Sequence, residues 1–440
     1  MGTSHSWLLQ FWLAEKDGLV LTDDVSFSKN SLKNQNVMSN SAPRSWLVPF
    51  SIGHFANDIA PVSLVVLAPA IALEMDLSTA EVGLLLALQG WGSAIGFLPA
   101  GLVADATLNR GRLLMITFWW VVIGYWLASL APGFWLLALL LAFGGSGDAA
   151  WHPLATSILV QQAPSRRAQA LGIHAIGGTL SAVVGPLIVG FLLTMIDWRH
   201  TLQLITLPAA LMGIWFIVQM KHIPLQTSRM RWNRQEFSAI VKTWSGSKGR
   251  RIVLMMSTYH MAMVALISMI PLYLQQDKGL SSSETGLIYA VMVLVGALAQ
   301  PYVGKLSDMV GRRKVILSFN GGAAVAAFAA YTLDATSYLF AVLAMLLLAV
   351  ALLQGVRAAI LAAAVEFAGS REGAALGFSF SLMDGIGALG ALLAGWVAGY
   401  AFSNAFLLSG ALAVCALFAC LSVAMPPVAH SLETSEQQTT

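Results

Sequence analysis

Two pairs of ionisable side chains stand out in this chain because each pair lies within an otherwise apolar stretch. His54 and Asp58 are four residues apart, and so are Asp148 and His152. Residues at i and i+4 share one face of a helix, so each histidine is placed to exchange a proton with its carboxylate. Histidine and aspartate are also ligands of divalent metals. The spacing therefore predicts proton exchange, and a metal-dependent membrane enzyme is the alternative.

Other ionisable residues also lie in apolar stretches, where such side chains are costly and normally face a cavity or a partner. They are His174, His260, Arg357 and Asp384. His174 has a second interpretation, a hydrogen bond that joins neighbouring helices. Asp384 is either a structural partner or a second proton site.

For Asp58 and Asp148 the alternative is mutual neutralisation with Arg357, which would only hold the helices together. Protonation of a carboxylate in such an ion pair would still create a switch. At about 1.5 Å per residue, and in the orientation argued below, both carboxylates lie about 18 Å above the cytoplasmic helix ends. His54 and His152 lie about 12 Å above them. The sequence thus predicts two matched polar layers.

The composition predicts that lipid surrounds the elements that position these residues. Of 440 residues, 57% are hydrophobic and 10% are charged, and the mean hydropathy is +0.74. Soluble proteins carry about 25% charged residues. Apolar runs of about 20 residues cross a bilayer as helices, because their backbone polar groups are then satisfied internally. We expect an all-α membrane protein with spans 1 to 12, in chain order, at 46–73, 80–104, 113–131, 134–161, 168–194, 200–220, 252–275, 284–303, 315–333, 338–367, 373–400 and 402–425.

The second half of the chain repeats the first. Ser78-x-x-Glu81 returns 203 residues later as Ser281-x-x-Glu284. Further pairs at offsets of 203 or 205 are Gly83 and Gly286, Asp105 and Asp308, His152 and Arg357, Gly185 and Gly390, and Gly190 and Gly395. Internal repeats are typical of secondary transporters. The twelve spans are therefore predicted to form two six-helix repeats.

Basic residues predict the orientation, since short loops rich in Lys and Arg stay cytoplasmic. With both termini inside, 21 of the 24 Lys and Arg residues fall in cytoplasmic segments. The net charge of +3 thus follows from topology and predicts no nucleic-acid partner. The predicted parts are a disordered cytoplasmic tail (1–45), an N-terminal bundle (46–220), a cytoplasmic linker (221–251), a C-terminal bundle (252–425) and a second cytoplasmic tail (426–440). Met38 is an alternative start, in which case residues 1–37 are not part of the protein.

Two predicted cytoplasmic loops share a pattern of glycine, aspartate and arginine. Between spans 8 and 9 the residues are Gly304, Asp308, Gly311, Arg312 and Arg313, and between spans 2 and 3 they are Gly101, Asp105, Arg110 and Arg112. A tight turn needs glycine, and an aspartate can pair with arginine across it. The first copy has one extra residue after its aspartate, which leaves open whether Arg110 or Arg112 forms the expected pair. The simpler interpretation, that these arginines only set topology, does not explain the Gly-x3-Asp spacing.

These loops resemble the signature loop of the major facilitator superfamily. The resemblance to that superfamily covers about residues 46–425 of the chain. The resemblance implies a rocking transporter in which spans 1, 4, 7 and 10 line a central cavity. It thus implies that His54, Asp58, Asp148, His152, His260 and Arg357 converge there, and that the two loops act as gates. We expect no cofactor and no metal, and a chain that functions as a monomer in the bilayer.

Three stretches of the first half narrow the resemblance to the fosmidomycin-resistance branch, which exports small compounds against protons. They are His54-x2-Asn57-Asp58, Gly145-x-Gly147-x4-His152-Pro153, and Gly177-Gly178-x6-Gly185-Pro186-Leu187. Leu154 stands where that branch places an acid, so substrate identity is not carried over. The glycines of spans 5 and 11, including Gly177, Gly178, Gly185, Gly390 and Gly395, are predicted to pack the two halves together.

The leading function is proton-coupled transport of a small organic molecule, since the chain has no ATP-binding loop and no large soluble domain. Efflux is slightly favoured, because the segment around Gly185-Pro186 resembles the antiporter motif of drug exporters. Ser181 and Val189 replace two of that motif's glycines. The alternative is proton symport of a small organic anion or vitamin-like metabolite, with Arg357 as the counter-charge. A sensor built on a transporter fold is the third class. The expected location is a bacterial inner membrane.

Overall fold

The computed structural model describes residues 46–162, 166–223, 225, 234–336, 338–368, 372–423 and 425. The predicted tails at 1–45 and 426–440, with the alternative start at Met38, lie outside these residues. The described residues belong to one compact unit. They are helical and contain no strand.

Twelve helices are long and apolar enough to cross a membrane, which confirms the predicted all-α fold. Spans 1 to 5 are Leu47–Met75, Thr79–Ala106, Arg110–Ser129, Phe134–Gln162 and Arg167–Leu192. Span 6 consists of Trp198–Ile205 and Leu207–Gln219, and span 7 of Ser247–Leu272 with a π-helical end, Tyr273–Asp277. Spans 8 to 12 are Ser282–Val310, Arg312–Asp334, Leu339–Ala368, Glu372–Ala398 and Asn404–Ser422. A further helix, Arg234–Ser245, lies in the linker.

Spans 6, 7 and 8 depart from the predicted bounds, and span 8 ends at Val310, seven residues later than predicted. Span 6 is interrupted at Thr206, two residues before Pro208, which has no backbone N–H to continue the helix. Span 7 begins at Ser247, five residues earlier than predicted, so its first turn carries Lys248, Arg250 and Arg251. Hydropathy alone misses this turn because its side chains are basic while its backbone is helical.

The repeated motif builds the same helix start in both halves. The Ser78 hydroxyl accepts a hydrogen bond from the backbone N–H of Glu81, whose carboxylate accepts from the Ser78 backbone N–H. Ser281 and Glu284 form the same reciprocal box at the start of span 8. Such a box satisfies two backbone donors that a helix start otherwise leaves free. The repeat in sequence is therefore a repeat in structure.

Most of the glycines predicted to join the halves pack within one half. Added Cβ atoms on Gly177 and Gly178 of span 5 would lie 2.9 Å from the Cβ and 2.6 Å from the Nε2 of His54 in span 1. Gly185 packs on Ser63 of span 1, and Gly390 of span 11 packs on Met261 of span 7. The prediction for these four glycines was wrong. Glycine spacing shows that a helix packs closely, but it does not show which neighbour it meets.

Two glycine contacts do join the halves, and the repeat relates them. A Cβ on Gly83 of span 2 would lie 2.9 Å from the Cα of Gly395 in span 11. A Cβ on Gly286 of span 8 would lie 3.0 Å from the Cα of Gly190 in span 5, and the carbonyl of Pro186 is closer still. All of these residues are near the helix ends away from the basic loops. We call that side the outer side and the side with the basic loops the cytoplasmic side.

The same helices are less closely packed towards the cytoplasmic side. A Cβ added to Gly172 of span 5 or to Gly377 of span 11 would meet no atom within 4 Å. Spans 2 and 11 remain in contact further inward, where the Trp91 indole donates to the Gly385 carbonyl at 2.8 Å. The halves are thus closed at the outer side and looser at the cytoplasmic side.

Candidate functional site

The structure brings His54 and Asp58 into direct contact on span 1. The Nε2 of His54 lies 3.1 Å from the Oδ2 of Asp58, and its Nδ1 lies 2.8 Å from the carbonyl oxygen of His174 in span 5. Both side chains of the ion pair are 13% exposed. The pair is therefore inside the protein but within reach of water.

The two contacts of His54 fix how many protons the pair holds. The His174 carbonyl can only accept a hydrogen bond, so the Nδ1 of His54 carries a hydrogen. The contact between Nε2 and the Asp58 carboxylate then needs a second hydrogen, on either the imidazole or the acid. Without it, two lone pairs would face each other at 3.1 Å. The pair thus binds one exchangeable proton in this conformation.

Asn57 joins this pair to the second carboxylate. Its buried amide nitrogen lies 3.2 Å from the Oδ1 of Asp58 and 2.5 Å from the Oδ1 of Asp148 in span 4. The amide has two N–H donors, so one residue satisfies both carboxylates. The structure therefore places Asp58 and Asp148 side by side, with Asn57 between them.

His152 of span 4 lies against the same group. Its Nε2 is 3.7 Å from the Oδ1 of Asp58, and its ring centroid is 5.0 Å from that of His54. On its other side it stacks on Phe97 of span 2 at 5.8 Å, and Phe97 stacks on Phe380 of span 11 at 6.0 Å. The site therefore extends from the polar centre of one half to an aromatic surface of the other.

His174 contributes its backbone to the site more than its ring. The ring is stacked between His54 at 4.3 Å and Trp151 at 5.1 Å. It lies near the main chain of Phe50, but neither ring nitrogen forms a well-aligned hydrogen bond with any described residue. The His174 carbonyl orients His54, and the absent side chain of Gly178 leaves room for that ring.

The C-terminal half contains a second histidine–aspartate pair. The Nε2 of His260 in span 7 lies 3.3 Å from the Oδ1 of Asp384 in span 11. The Nδ1 of His260 is buried and has no hydrogen-bond partner among the described residues. A neutral imidazole with its hydrogen on Nε2 satisfies this contact, so the pair needs no additional proton. The His54–Asp58 pair therefore requires one additional proton, and the His260–Asp384 pair does not.

Arg357 does not pair with the carboxylates. Within the part of the chain that the structure describes, it forms no hydrogen bond or ion pair, although His152 lies within electrostatic range. The alternative in which Arg357 neutralises Asp58 and Asp148 therefore does not hold in this conformation. The carboxylates have nearer partners in His54 and Asn57, which lie in the same half.

Three ligand atoms of this group are spaced as a metal site would require. One ligand atom each from His54, Asp58 and His152 lies within 4.8 Å of the other two. Two imidazoles and a carboxylate with an open position are a ligand set that suits zinc. The sequence alternative of metal binding thus has a structural counterpart at the same residues as the proton pair.

The loop between spans 8 and 9 forms a network within the C-terminal half. Arg312 donates to Asp308 at 2.8 Å and to Glu366 of span 10 at 2.6 Å, and Arg313 donates to the Leu421 carbonyl of span 12 at 2.8 Å. Gly311 alone connects the two helices, with φ at 100°. That backbone conformation is strained for other residues, which is the physical reason for this glycine.

The matching loop between spans 2 and 3 uses Arg110 as the counterpart of Arg312. Both arginines are the first residue of their helix, and Arg110 donates to Gln161 of span 4 at 2.8 Å. Gln161 and Glu366 are related by the 205 offset. Arg112 is exposed, and the side chain of Asp105 lies outside the part of the chain that the structure describes. The longer first loop, 107–109, turns without a positive φ, which accounts for its extra residue.

The sequence profile of the Major Facilitator Superfamily matches residues 50–293 and 252–440. A protein of Helicobacter pylori named as a sugar efflux transporter is 28% identical over 176 residues, which are 40% of this chain and 45% of that protein. The match thus spans less than half of that relative. A metabolite transport protein of Haemophilus influenzae is 25% identical over 292 residues, 63% of this chain and 71% of its own.

Solved structures show the same fold. A bacterial homologue of the lysosomal transporter Spinster, inward-facing and occupied, has a TM-score of 0.71 and 20% identity over 87% of this chain and 96% of its own. The nucleoside transporter NupG has a TM-score of 0.70 and 15% identity over 86% of this chain and 99% of its own. Together with the twelve spans and the repeated loops, the profile match shows that this chain is a multi-pass membrane transporter of the Major Facilitator Superfamily.

Proposed function

We propose that this transporter couples the movement of a small organic molecule to protons, with the His54–Asp58 pair as the proton site. The observation that carries the proposal is the double contact of His54, which leaves one exchangeable proton between Nε2 and Oδ2. Loss of that proton would leave facing lone pairs in a poorly solvated place, which is unfavourable. The protonation state is thereby linked to the geometry of span 1 against spans 4 and 5.

The coupling follows from alternating access. The two halves would rock about the central site, opening the cytoplasmic side and the outer side in turn. In the conformation described here the outer side is closed, so Asp58 exchanges its proton with the cytoplasmic side. Asp148, joined to Asp58 through Asn57, is the second carboxylate whose charge the closed cavity has to tolerate.

Efflux by antiport is the favoured direction. The relatives in Helicobacter are named for sugar efflux, and the stretches of spans 1, 4 and 5 resemble the fosmidomycin-resistance branch of exporters. The second candidate is proton symport of a small organic anion or vitamin-like metabolite, which the unpaired charge of Arg357 favours. We further propose an inner-membrane location, cytoplasmic termini, an N-terminal bundle at 46–220, a C-terminal bundle that begins with span 7 at Ser247, and a functional monomer.

A comparison of metabolites and drug tolerance in cells with and without the protein would identify the substrate. Transport in vesicles of both orientations, with an internal pH dye, would then show whether substrate and protons move together and in which directions. Substrate flux without proton flux would contradict the proposal. Counterflow in proteoliposomes would separate a transporter from a sensor, because a sensor binds its ligand without exchanging it.

Gly178→Ala tests whether space beside His54 is needed for the proton site. A methyl group at this position would lie 2.6 Å from the Nε2 of His54, so the ring must shift, which disturbs its contact with Asp58. We expect pH-driven transport to fall by about tenfold or more while the protein remains folded. Leaving a buried hydrogen bond unmade costs about 1–3 kcal/mol, which is enough to reduce the rate by this factor but not to unfold the chain. Gly172→Ala, where the methyl group meets no atom within 4 Å, is the control. Equal transport by both variants would show that the position of His54 is not critical.

Asp308→Asn tests the gating loop. The change weakens the bond from Arg312 to span 8 but leaves the bond from Arg312 to Glu366. We expect slower turnover with substrate affinity within about threefold of the original, because an exposed ion pair contributes about 1 kcal/mol or less and lies away from the cavity. The measurement is the transport rate in vesicles, divided by the amount of protein inserted in them. An unchanged rate would remove the gating role.

A further inference from the structure

Arg357 is a permanent cation within span 10 that no described residue neutralises. It lies about 27 Å along the helix from the first residue, Leu339, and about 16 Å from the last, at 1.5 Å per residue. Arginine stays charged in proteins, and a charge at this depth normally has a partner. Its position therefore implies an anion that the chain itself does not supply in this conformation.

The membrane-embedded carboxylates nearby are already engaged. Asp58 contacts His54, Asp148 contacts Asn57, and Asp384 contacts His260, each through the bonds given above. Asp384 and Arg357 both lie within electrostatic range of His152, yet they form no ion pair with each other. None of these carboxylates is therefore the counter-ion of Arg357, and a bound anion would supply one.

A second donor lies one helical turn before Arg357. The Gln354 side-chain oxygen accepts from Gln300 of span 8 at 3.5 Å, which leaves the Gln354 amide hydrogens without a partner among the described residues. Residues at i and i+3 share a helix face. This face of span 10 therefore offers hydrogen-bond donors from Gln354 and Arg357, and it favours an acceptor-rich group.

The equivalent positions in the N-terminal half hold aromatic rings. Phe97 occupies the position of Gln300 in the repeat, 203 residues earlier, and His152 occupies the position of Arg357. Phe97 stacks between His152 and Phe380. Duplication has thus given one half Gln300 and Arg357 where the other half has Phe97 and His152.

We propose that the cargo is a small organic anion, with a carboxylate or phosphate group bound by Arg357 and Gln354 and an apolar body next to the aromatic cluster of Phe97 and Phe380. The inference rests on the proposed transport function and names its substrate class. Arginine binds such groups through two parallel hydrogen bonds, which fixes the orientation of the anion as well as its charge. A neutral sugar would leave the guanidinium unpaired.

The test uses the purified full chain in a neutral detergent, with thermal unfolding measured at constant ionic strength. The probes are benzoate and phenyl phosphate, their neutral or cationic counterparts benzamide and benzylamine, glucose, and phosphatidylglycerol as an anionic lipid. We expect benzoate or phenyl phosphate to raise the unfolding temperature and the neutral and cationic probes to have no effect. An equal shift with benzamide or glucose, or a shift with phosphatidylglycerol only, would overturn the proposal.

Variants then locate the binding. Arg357→Gln should abolish the shift, and Arg357→Lys should weaken binding by about tenfold or more because a point charge replaces the two-pronged contact. Gln354→Leu, which keeps the charge, should weaken it about two- to tenfold. Lys248→Gln removes an exposed cation elsewhere and should leave the shift intact. If Arg357→Gln does not elute as a folded monomer, Arg357→Lys and Gln354→Leu are used in its place. Unchanged benzoate and phenyl phosphate binding in both of these variants would contradict the proposal.

The outcome is separable from that of the proposed function. Anion binding that depends on Arg357 but moves no protons in vesicles would reject proton coupling alone. Proton-coupled transport of a neutral compound that is unaffected by Arg357→Gln would reject the anion site alone.

Discussion

Asp58→Asn is expected to abolish substrate accumulation driven by an imposed pH gradient while leaving substrate exchange at equal pH. The asparagine amide can donate to an unprotonated Nε2 of His54, so the contact no longer requires a proton. The variant thus stays satisfied in the closed state without taking up a proton. Uptake into vesicles with and without a pH difference measures the two activities separately.

Asp384→Asn is the matched control, because it alters a histidine–aspartate pair of similar geometry that needs no additional proton. We expect it to change transport less than Asp58→Asn does. Asp148→Asn shows which of the two neighbouring carboxylates carries the proton. If Asp58→Asn keeps full pH-driven accumulation, the proton site must be sought at Asp148 or Asp384, and if the Asp148 variant does so too, coupling through this group is wrong.

The fold was predictable because the features that determine it are short stretches of sequence. Long apolar runs locate the spans, and the repeated Ser-x-x-Glu box marks helix starts in both halves. The first turn of span 7 and the break at Thr206 were missed, since hydropathy does not report basic helical turns or the effect of a nearby Pro208. The sequence does contain the proline signal for the break.

The site was predictable as a set of residues but not as a set of contacts. Spacing puts Asp58 and Asp148 at one depth, yet contacts between helices also depend on how each helix is rotated. The Nδ1 of His54 contacts a backbone carbonyl of span 5, and the amide of Asn57 donates hydrogen bonds to both carboxylates. In the sequence, Asn57 stands out only as part of a motif. A buried amide next to an acid was the available signal for its role.

Arg357 shows the limit of reasoning from the repeat. Its equivalence to His152 located it correctly beside the polar centre, within electrostatic range of that histidine. The alternative of an ion pair between Arg357 and the carboxylates fails because Asp58 and Asp148 are satisfied by neighbours that the repeat does not duplicate. Gln300 and Phe97 carry the same lesson, since equivalent positions in the two halves hold different chemistry.

Gly190→Trp combined with Gly395→Trp is expected to prevent the outer side from closing and to abolish transport. A Cβ on Gly190 would lie 2.6 Å from the Ser282 carbonyl, and one on Gly395 would lie 2.8 Å from the Cα of Gly83. These neighbours are backbone atoms of the other half, which cannot move aside as a side chain can. Overpacking by an indole at both contacts would therefore separate the halves there.

Gly172→Trp with Gly377→Trp is the control on the same two helices. The repeat relates these glycines as it relates Gly190 and Gly395, but their added Cβ atoms meet nothing within 4 Å. Spin labels at Thr194 and Gln276, which lie in opposite halves and are exposed at the outer side, report the separation. We expect the label distance to increase in the first pair of variants and to stay unchanged in the control. An unchanged distance in the Gly190 and Gly395 variant would show that these contacts do not hold the outer side closed, because the indoles would then have been accommodated without separating the halves.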